Sequence, residues 1–340
     1  MGNKISYLSS AFLYYAIVYP ISLLPLRVIY IFTDFLCLIL TRIAPYRKTL
    51  IKRNLFKSFP QASHDQRKKI KRAFYQHLCD VLAESIKNLS ISERELKSRF
   101  KISNYSILDK LYAEGKDVFL VSGHYNNWEW MITAQNLLLR HQAAGIGMPL
   151  SNAFWNYKLN QRRGRFGMDI LNANNVHDYL SSDHKKPIAT LILSDQTPID
   201  HLKSYWMHFL NQTTPVFFGC EQLAHQYDSA VVYFVINKRK RGYYKVDFQL
   251  ICDNASEMCY GEITEKHTKA LEKSIFKHPE YWLWSHNRWK RHAPENLDEI
   301  KVDQQLKFEK RFPNAKKKVN TNSKTETNSE NPMLSRYAKF

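Results

Sequence analysis

The chain is predicted to be an α/β protein: a central, mostly parallel β-sheet flanked by helices, behind an apolar helical segment at the N-terminus. Three observations predict this. From Val118 onward, short apolar runs alternate with helix-length amphipathic stretches, the pattern of a βαβ core. Before that, residues 5–26 carry no charge at all. The chain has 340 residues, 44% hydrophobic and 24% charged, which suffices to bury a sizeable core as one large domain or two small ones.

Taken in order, the first apolar run is long enough for a spanning helix, which needs about 20 apolar residues. Pro20 and Pro25 oppose a straight one, since each would kink it. A second apolar stretch, Val28–Leu40, is broken only by Thr33 and Asp34. Tyr7, Tyr14, Tyr15 and Tyr19 suit a membrane interface as well as a core. A signal peptide is disfavoured, because the leading segment holds one lysine and no small-x-small cleavage site follows. Basic residues come next: Arg42, Arg47, Lys48, Lys52, Arg53 and Lys57, then Arg67, Lys68, Lys69, Lys71 and Arg72. Such a cluster beside an apolar segment places it at a cytoplasmic face near anionic headgroups. Residues 1–42 are therefore expected to be a membrane anchor lying across or along the bilayer.

Ser63 with Gln66 forms a capping box opening a long helix, whose apolar positions Ile70, Phe74, Leu78, Val81, Leu82 and Ile86 keep helical spacing. Ser92 with Glu95 reads as a second box. Strands are expected at Val118–Val121, Ala143–Gly147 and Ile188–Leu193, with a hairpin of Ala230–Ile236 and Tyr243–Leu250. Helices are expected near Trp128–Leu139, Ala153–Arg162, Phe217–His225 and Ile263–Phe276. Residues 43–313 would form one α/β domain. Residues 314–340, rich in Asn, Lys, Thr and Ser, read as a disordered polar tail.

The charge is the most informative bulk property. With 50 Lys+Arg against 31 Asp+Glu, the net charge is +19, which favours an anionic membrane surface, nucleic acid, or a phosphorylated or acidic substrate. No nucleic-acid recognition motif accompanies it, and the membrane reading is preferred. The cysteines (Cys37, Cys79, Cys220, Cys252, Cys259) form no C-x-x-C and read as buried small hydrophobes in a reducing compartment. No H-E-x-x-H and no Cys/His cluster suggests a metal site, so neither metal nor cofactor is expected.

The candidate for chemistry lies where the first strong strand ends, at Ser122-Gly123-His124-Tyr125-Asn126-Asn127-Trp128-Glu129. Ligands of open α/β sheets gather at the carboxyl ends of strands. His124 and Glu129 form an H-x4-E spacing, which in a regular helix turns the two side chains about 140° apart. They can meet only if His124 stays in the strand–helix turn and Glu129 enters the first helical turn. A carboxylate on one imidazole nitrogen fixes the tautomer and leaves the other basic. That suits a histidine taking a proton from a hydroxyl nucleophile. By spacing alone, such a pair is more often structural.

The residues around the pair change this. Gly123-His124-Tyr125-Asn126-Asn127-Trp128-Glu129 resembles the acyltransferase motif of the bacterial lipid A biosynthesis (lauroyl/myristoyl) acyltransferase family, within the lysophospholipid acyltransferase superfamily. Further blocks resemble that family in its order. They are Asn54-Leu55-Phe56-Lys57-Ser58-Phe59-Pro60, Arg163-Gly164-Arg165-Phe166-Gly167, Ser194-Asp195-Gln196, Phe209…Thr213-Thr214-Pro215…Gly219, and Pro279-Glu280-Tyr281-Trp282-Leu283-Trp284-Ser285-His286-Asn287-Arg288-Trp289-Lys290. Tyr125 stands where the family often has Phe, Asn287 where a second Arg is usual, and Thr197-Pro198 follows Asp195-Gln196 in place of a more acidic or glycine-containing run.

The resemblance implies an inner-membrane acyltransferase of lipopolysaccharide biosynthesis in bacteria, its catalytic domain on the cytoplasmic face. It would move an acyl chain from an acyl-carrier-protein or acyl-CoA thioester to a hydroxyl of a lipid A precursor. His124 would be the general base and Glu129 its orienting partner. Arg163 and Asp195 match further essential positions. Arg163 and Arg165 offer planar forks for lipid phosphate, while for Asp195 a strand-end cap competes with a site role. Trp282, Trp284 and Trp289 read as core. Two alternatives remain open: a lysophospholipid or aminolipid acceptor, and a basic nucleic-acid-binding protein.

Overall fold

Nine strands occur among the described residues, which are 2–172 and 174–315 of a computed structural model. They are β1 (Phe100–Ile102), β2 (Val118–Ser122), β3 (Gln142–Ile146), β4 (Asp169–Leu171), β5 (Ile188–Leu193), β6 (Tyr205–Phe209), β7 (Gln212–Val216), β8 (Ala230–Lys240) and β9 (Tyr243–Cys252). Seven form one sheet in the order β1-β9-β8-β2-β5-β3-β4, and β6 and β7 pair separately as an antiparallel hairpin. Within the large sheet only β8 and β9 run antiparallel; the other neighbours are parallel, as expected. Val118 and Leu120 of β2 pack into one hydrophobic cluster and Phe119 and Val121 into the other. A strand buried on both faces has no polar side to show, which is why it reads as an unbroken apolar run.

The helices expected from spacing form within a residue or two, at Trp128–Leu138, Ala153–Arg163, Gly219–Tyr227 and Glu262–Lys277. The box at Ser63 is complete and opens His64–Lys87. At Ser92 only half forms: its hydroxyl accepts from Glu95 N, but the Glu95 carboxylate turns to Arg99 Nε at 2.9 Å. Helix Leu297–Arg311 is not among the expected elements; its sequence is mostly polar and buries one apolar side chain. It is anchored by Phe308, which buries against Tyr205, Phe218 and Tyr260. Of the cysteines, Cys37, Cys79, Cys220 and Cys252 are buried and Cys259 half-buried. The expected polar tail lies outside the described residues from 316 onward.

The N-terminal segment departs from a single straight span. Helical turns run from Gly2 to Leu23 and stop at Leu24–Pro25, where Leu24 adopts an extended ψ of 154° before helix Leu26–Leu38 begins. The residue before a proline is pushed out of the helical region, and the proline itself has no N–H to continue the ladder. No single described helix is long and apolar enough to cross a membrane. One pair, Leu26–Ile43 with Lys48–Ser58, is so only together and is bent by 83°. One stripe of the segment is buried: Leu26, Ile29 and Tyr30 join the cluster holding Phe100 and Tyr244. The opposite side is left open, with Phe12 72%, Ile31 68% and Ile43 75% exposed. Asp34, the charge that interrupts the second apolar stretch, receives Arg241 Nη1 at 2.9 Å, while Arg241 Nε and Lys238 Nζ each donate to buried Asp80 at 2.7 Å.

Candidate active site

Parallel pairing of β2 with β5 aligns Ser122 with Leu193. Both chains continue in step, Ser194 N donating to Ser122 O at 2.9 Å, so the second residue past each strand lands side by side. Those residues are His124 and Asp195. His124 Nδ1 donates to Asp195 Oδ1 at 2.6 Å, and the His124 backbone N–H donates to Oδ2 at 2.9 Å. Trp282 Nε1 also donates to Oδ2, at 2.7 Å. Burial alone would push the Asp195 carboxyl up, but His124 beside it and these donors prevail and hold it at about 2. With Nδ1–H committed to Asp195, the imidazole lone pair is on Nε2, where the Gln196 amide donates at 3.1 Å. The ring leans edge-on against Trp128, centroids 5.1 Å apart, and keeps 17% of its side chain open.

Gly123 makes this approach feasible. A Cβ there would sit 2.7 Å from Leu271 Cδ2 and 2.9 Å from Asp195 Cγ, so any larger residue would drive the carboxylate away.

The turn after His124 is over-determined. Asn126 has φ of 56°, in the left-handed region that Asn tolerates better than most residues. It is held by its N–H on Tyr281 O at 2.9 Å and its amide on Ile236 O at 2.6 Å. Asn127 caps the following helix through Trp130 N at 2.9 Å and donates to Glu84 Oε2 at 2.5 Å. Glu84 is fully buried and also receives Tyr30 OH at 2.6 Å and Tyr244 OH at 2.7 Å. Burial pushes its carboxyl up to about 7 despite those donors. One carboxylate thus ties the N-terminal segment, β9 and the turn carrying His124.

Glu129 does enter the first turn of helix Trp128–Leu138, as the spacing required, yet its oxygens go elsewhere. Arg163 Nη2 donates to Oε1 at 2.6 Å and its Nε to Oε2 at 3.2 Å, while Arg162 Nη2 donates to Oε2. Burial would raise this carboxyl too, but Arg162 and Arg163 outweigh it and hold it at about 2. The expectation that Glu129 orients His124 is corrected on this point: the hydrogen bond to Nδ1 is made by Asp195. The two forks expected to meet phosphate are also used within the protein. Arg163 grips Glu129, and Arg165 donates to the carbonyls of Leu89 (2.9 Å) and Ile91, which follow the end of helix His64–Lys87.

Sequence reasoning missed Arg162, Gln196 and the Trp282 donor. Trp282 is core, at 2% exposure, but its indole N–H serves the site as well. The late block brings it there: Asn54 donates to Trp284 O (2.9 Å) and His286 O (3.0 Å), and Arg47 donates to Ser285 O (2.8 Å). Thr197 N–H donates to His286 Nε2 at 3.1 Å. Arg288 is 1% exposed and donates to Pro215 O at 2.6 Å; burial depresses its guanidinium to about 10. Among the described residues no group of His, Cys, Asp and Glu could hold a metal ion.

These buried groups fix the acid response. Burial holds His77, His141, His225, His267 and His286 below their ordinary value, His225 and His286 at about 4 and His267 at about 3. A depressed histidine contributes stability that is present above about pH 6.5 and lost as pH falls toward its folded value. Glu84 and Glu221, both raised by burial to about 7, act oppositely between about 7 and 4.5. Five groups oppose two, so stability should fall below about pH 6.5. It should fall more steeply below about 4.5, where Glu129 and Asp195 take protons in the unfolded chain but stay ionised in the folded protein until about pH 2. Chemical denaturation midpoints across pH 7.5 to 3 would show it; a flat profile down to pH 4 would contradict it.

A histidine at one strand end, held by a carboxylate at the end of the next strand, presents a nitrogen that can accept a proton at Nε2. The bacterial lipid A biosynthesis acyltransferase family model matches residues 3–291, and the chain belongs to that family. It is therefore an acyltransferase, and enzymes of this family use an acyl donor and a lipid A acceptor and are membrane-associated in bacteria. Among curated proteins, none matches the chain.

Proposed function

We propose that the chain moves a fatty acyl group from an acyl-carrier-protein or CoA thioester to a hydroxyl of a lipid A precursor, with His124 as general base. The observation that carries this reading is the His124–Asp195 hydrogen bond, which leaves Nε2 as the basic nitrogen. The acceptor hydroxyl would take the place of the Gln196 amide at Nε2 and give up its proton there. Its oxygen would attack the thioester carbonyl carbon, the C–S bond would break as the tetrahedral intermediate collapses, and the imidazolium would return the proton to the departing thiolate. Asp195 would stabilise the imidazolium between those steps. Glu129 would anchor Arg162 and Arg163 and so fix helix Ala153–Arg163 against the turn.

Residues 1–42 would lie along the inner membrane at its cytoplasmic face, the exposed apolar side chains entering the lipid and the basic cluster meeting headgroups. The N-terminal segment packs on helix Ala153–Arg163 through Tyr7 and Phe154 (centroids 5.2 Å) and through Asn152 Nδ2 donating to Ser10 Oγ at 3.2 Å. That helix ends in Arg162 and Arg163, so membrane contact and site are joined by one rigid element.

The test uses the full-length protein in detergent with lauroyl-carrier-protein or lauroyl-CoA and a lipid A precursor. Mass spectrometry should find the acceptor heavier by one acyl chain. Acylation of a lysophospholipid or aminolipid in preference to the lipid A precursor would overturn the acceptor proposed here, and release of free fatty acid alone would overturn transfer.

A further inference from the structure

The arginines expected to bind phosphate are engaged with protein groups, whereas a different set of basic side chains meets no carboxylate. An open cleft of about 360 Å³ is lined by Lys57, Gln212, Thr213, Trp289, Arg291 and His292, with Asn211 and Ala293 completing it. No carboxylate lines this cleft, and among the described residues neither Lys57, Arg291 nor His292 has an acidic partner. Arg291 donates once, from Nη2 to Ile199 O at 3.2 Å, and its Nε is buried with no partner. The volume lies in the range of small-ligand sites, about 300–1,000 Å³. The donors suit one ligand chemistry: a planar guanidinium and an ammonium for phosphate oxygens, with amide and hydroxyl groups beside them.

The wall of the cleft is held in an unfavourable backbone conformation. Leu210 and Asn211, at the β6–β7 turn, have φ of 50° and 61°, a region that bulky Leu rarely enters. Three contacts hold the turn there: Leu210 N on Glu272 Oε1 at 2.6 Å, Asn211 Nδ2 on Ser58 O at 2.9 Å, and Gln212 Nε2 on Ser58 Oγ at 3.4 Å. The last two fix the turn beside Lys57. On the other side, Trp289 donates to Thr214 Oγ1 at 2.9 Å and its ring lies 6.0 Å from that of Trp282, the residue that donates to Asp195. A phosphate in this cleft would sit one pair of indoles away from the His124–Asp195 pair.

We infer that the Lys57–Arg291 cleft binds a phosphate group of one of the two substrates. This rests on the acyl-transfer reading for its meaning, but not for its first measurement. Phosphate occurs both on a lipid A precursor and in the phosphopantetheine arm of the donor, and the second measurement separates the two.

First, titrate inorganic pyrophosphate calorimetrically into the full-length protein in non-ionic detergent. Lys57→Gln and Arg291→Gln should each weaken binding about tenfold or more, since each removes a charge-assisted contact. Lys57 is exposed and has no partner to lose, so folding of Lys57→Gln is not at risk. Absence of binding to the unmodified chain, or equal binding by Lys57→Gln, overturns the site whether or not the chain transfers acyl groups. Second, steady-state rates should show KM raised about tenfold for one substrate, with kcat little changed because the contact is equally present in the ground and transition states. A rise for the acceptor assigns the lipid phosphate, and a rise for the donor assigns the phosphopantetheine phosphate. Weakened pyrophosphate binding with both KM values unchanged means an adventitious ion only and also overturns the proposal. If neither protein forms acylated lipid, the reading of function fails while the calorimetry still decides the cleft.

Discussion

Replacing His124 by alanine should lower acyl transfer by about 10²–10⁴-fold, the usual worth of general-base assistance. The protein should still fold, since the imidazole touches Trp128 only edge-on and stays partly open to solvent, and Asp195 keeps the His124 backbone N–H and the Trp282 indole as donors. Asp195→Asn should be comparably impaired for a different reason. An amide in that place cannot stabilise an imidazolium, and its NH2 opposite Nδ1 favours the tautomer with the proton on Nε2. The acceptor hydroxyl would then meet a donor where it needs a base. Because Asp195 acts through the ring, the double variant should be little slower than His124→Ala alone. Initial rates on matched, folded preparations decide this. Additive losses would give Asp195 an independent role, and near-normal transfer by His124→Ala would end the mechanism.

Much of the frame behind this prediction could be read from residue order alone. Strands β2, β3, β5, β8 and β9 and the intervening helices follow from apolar runs and caps: β2, buried on both faces, has to be apolar throughout, while β9 alternates buried with exposed residues. Their neighbours in the sheet could not be read in that way. His124 is legible at its strand end, but the carboxylate on its Nδ1 lies seventy-one residues along the chain, not five. Asp195 comes next to His124 only because parallel pairing sets Ser122 opposite Leu193, a long-range fact. Charges were legible and their destinations were not: Arg163 and Arg165 are forks in any reading, yet a carboxylate and two carbonyls of the protein occupy them. Glu84 shows the same limit. A glutamate late in a charged helix reads as solvated, and only tertiary packing puts it under Tyr30, Tyr244 and Asn127. The break in the N-terminal segment was signalled by Pro25, while the packing that buries Leu26, Ile29 and Tyr30 was not.

Glu129→Gln should act mainly on stability, in contrast to His124→Ala. Its carboxylate lies between two guanidiniums, with side chains only 10% exposed for Glu129, 11% for Arg162 and 17% for Arg163. An amide keeps the shape and one acceptor oxygen but leaves two largely buried cations with no counter-charge. Breaking a buried pair from one side typically costs about 3–5 kcal/mol, and partial exposure here sets the lower end of that range. The loss should show as a lower denaturation midpoint with unchanged slope. Glu129→Gln with Arg163→Gln should cost less than the sum of the two single changes, because the second removes a cation that the first left unpaired. At a temperature where Glu129→Gln is fully folded, it should retain more transfer than His124→Ala, since Nδ1 of His124 keeps Asp195. Unchanged stability together with a rate as low as that of His124→Ala would show instead that Glu129 acts on the imidazole directly.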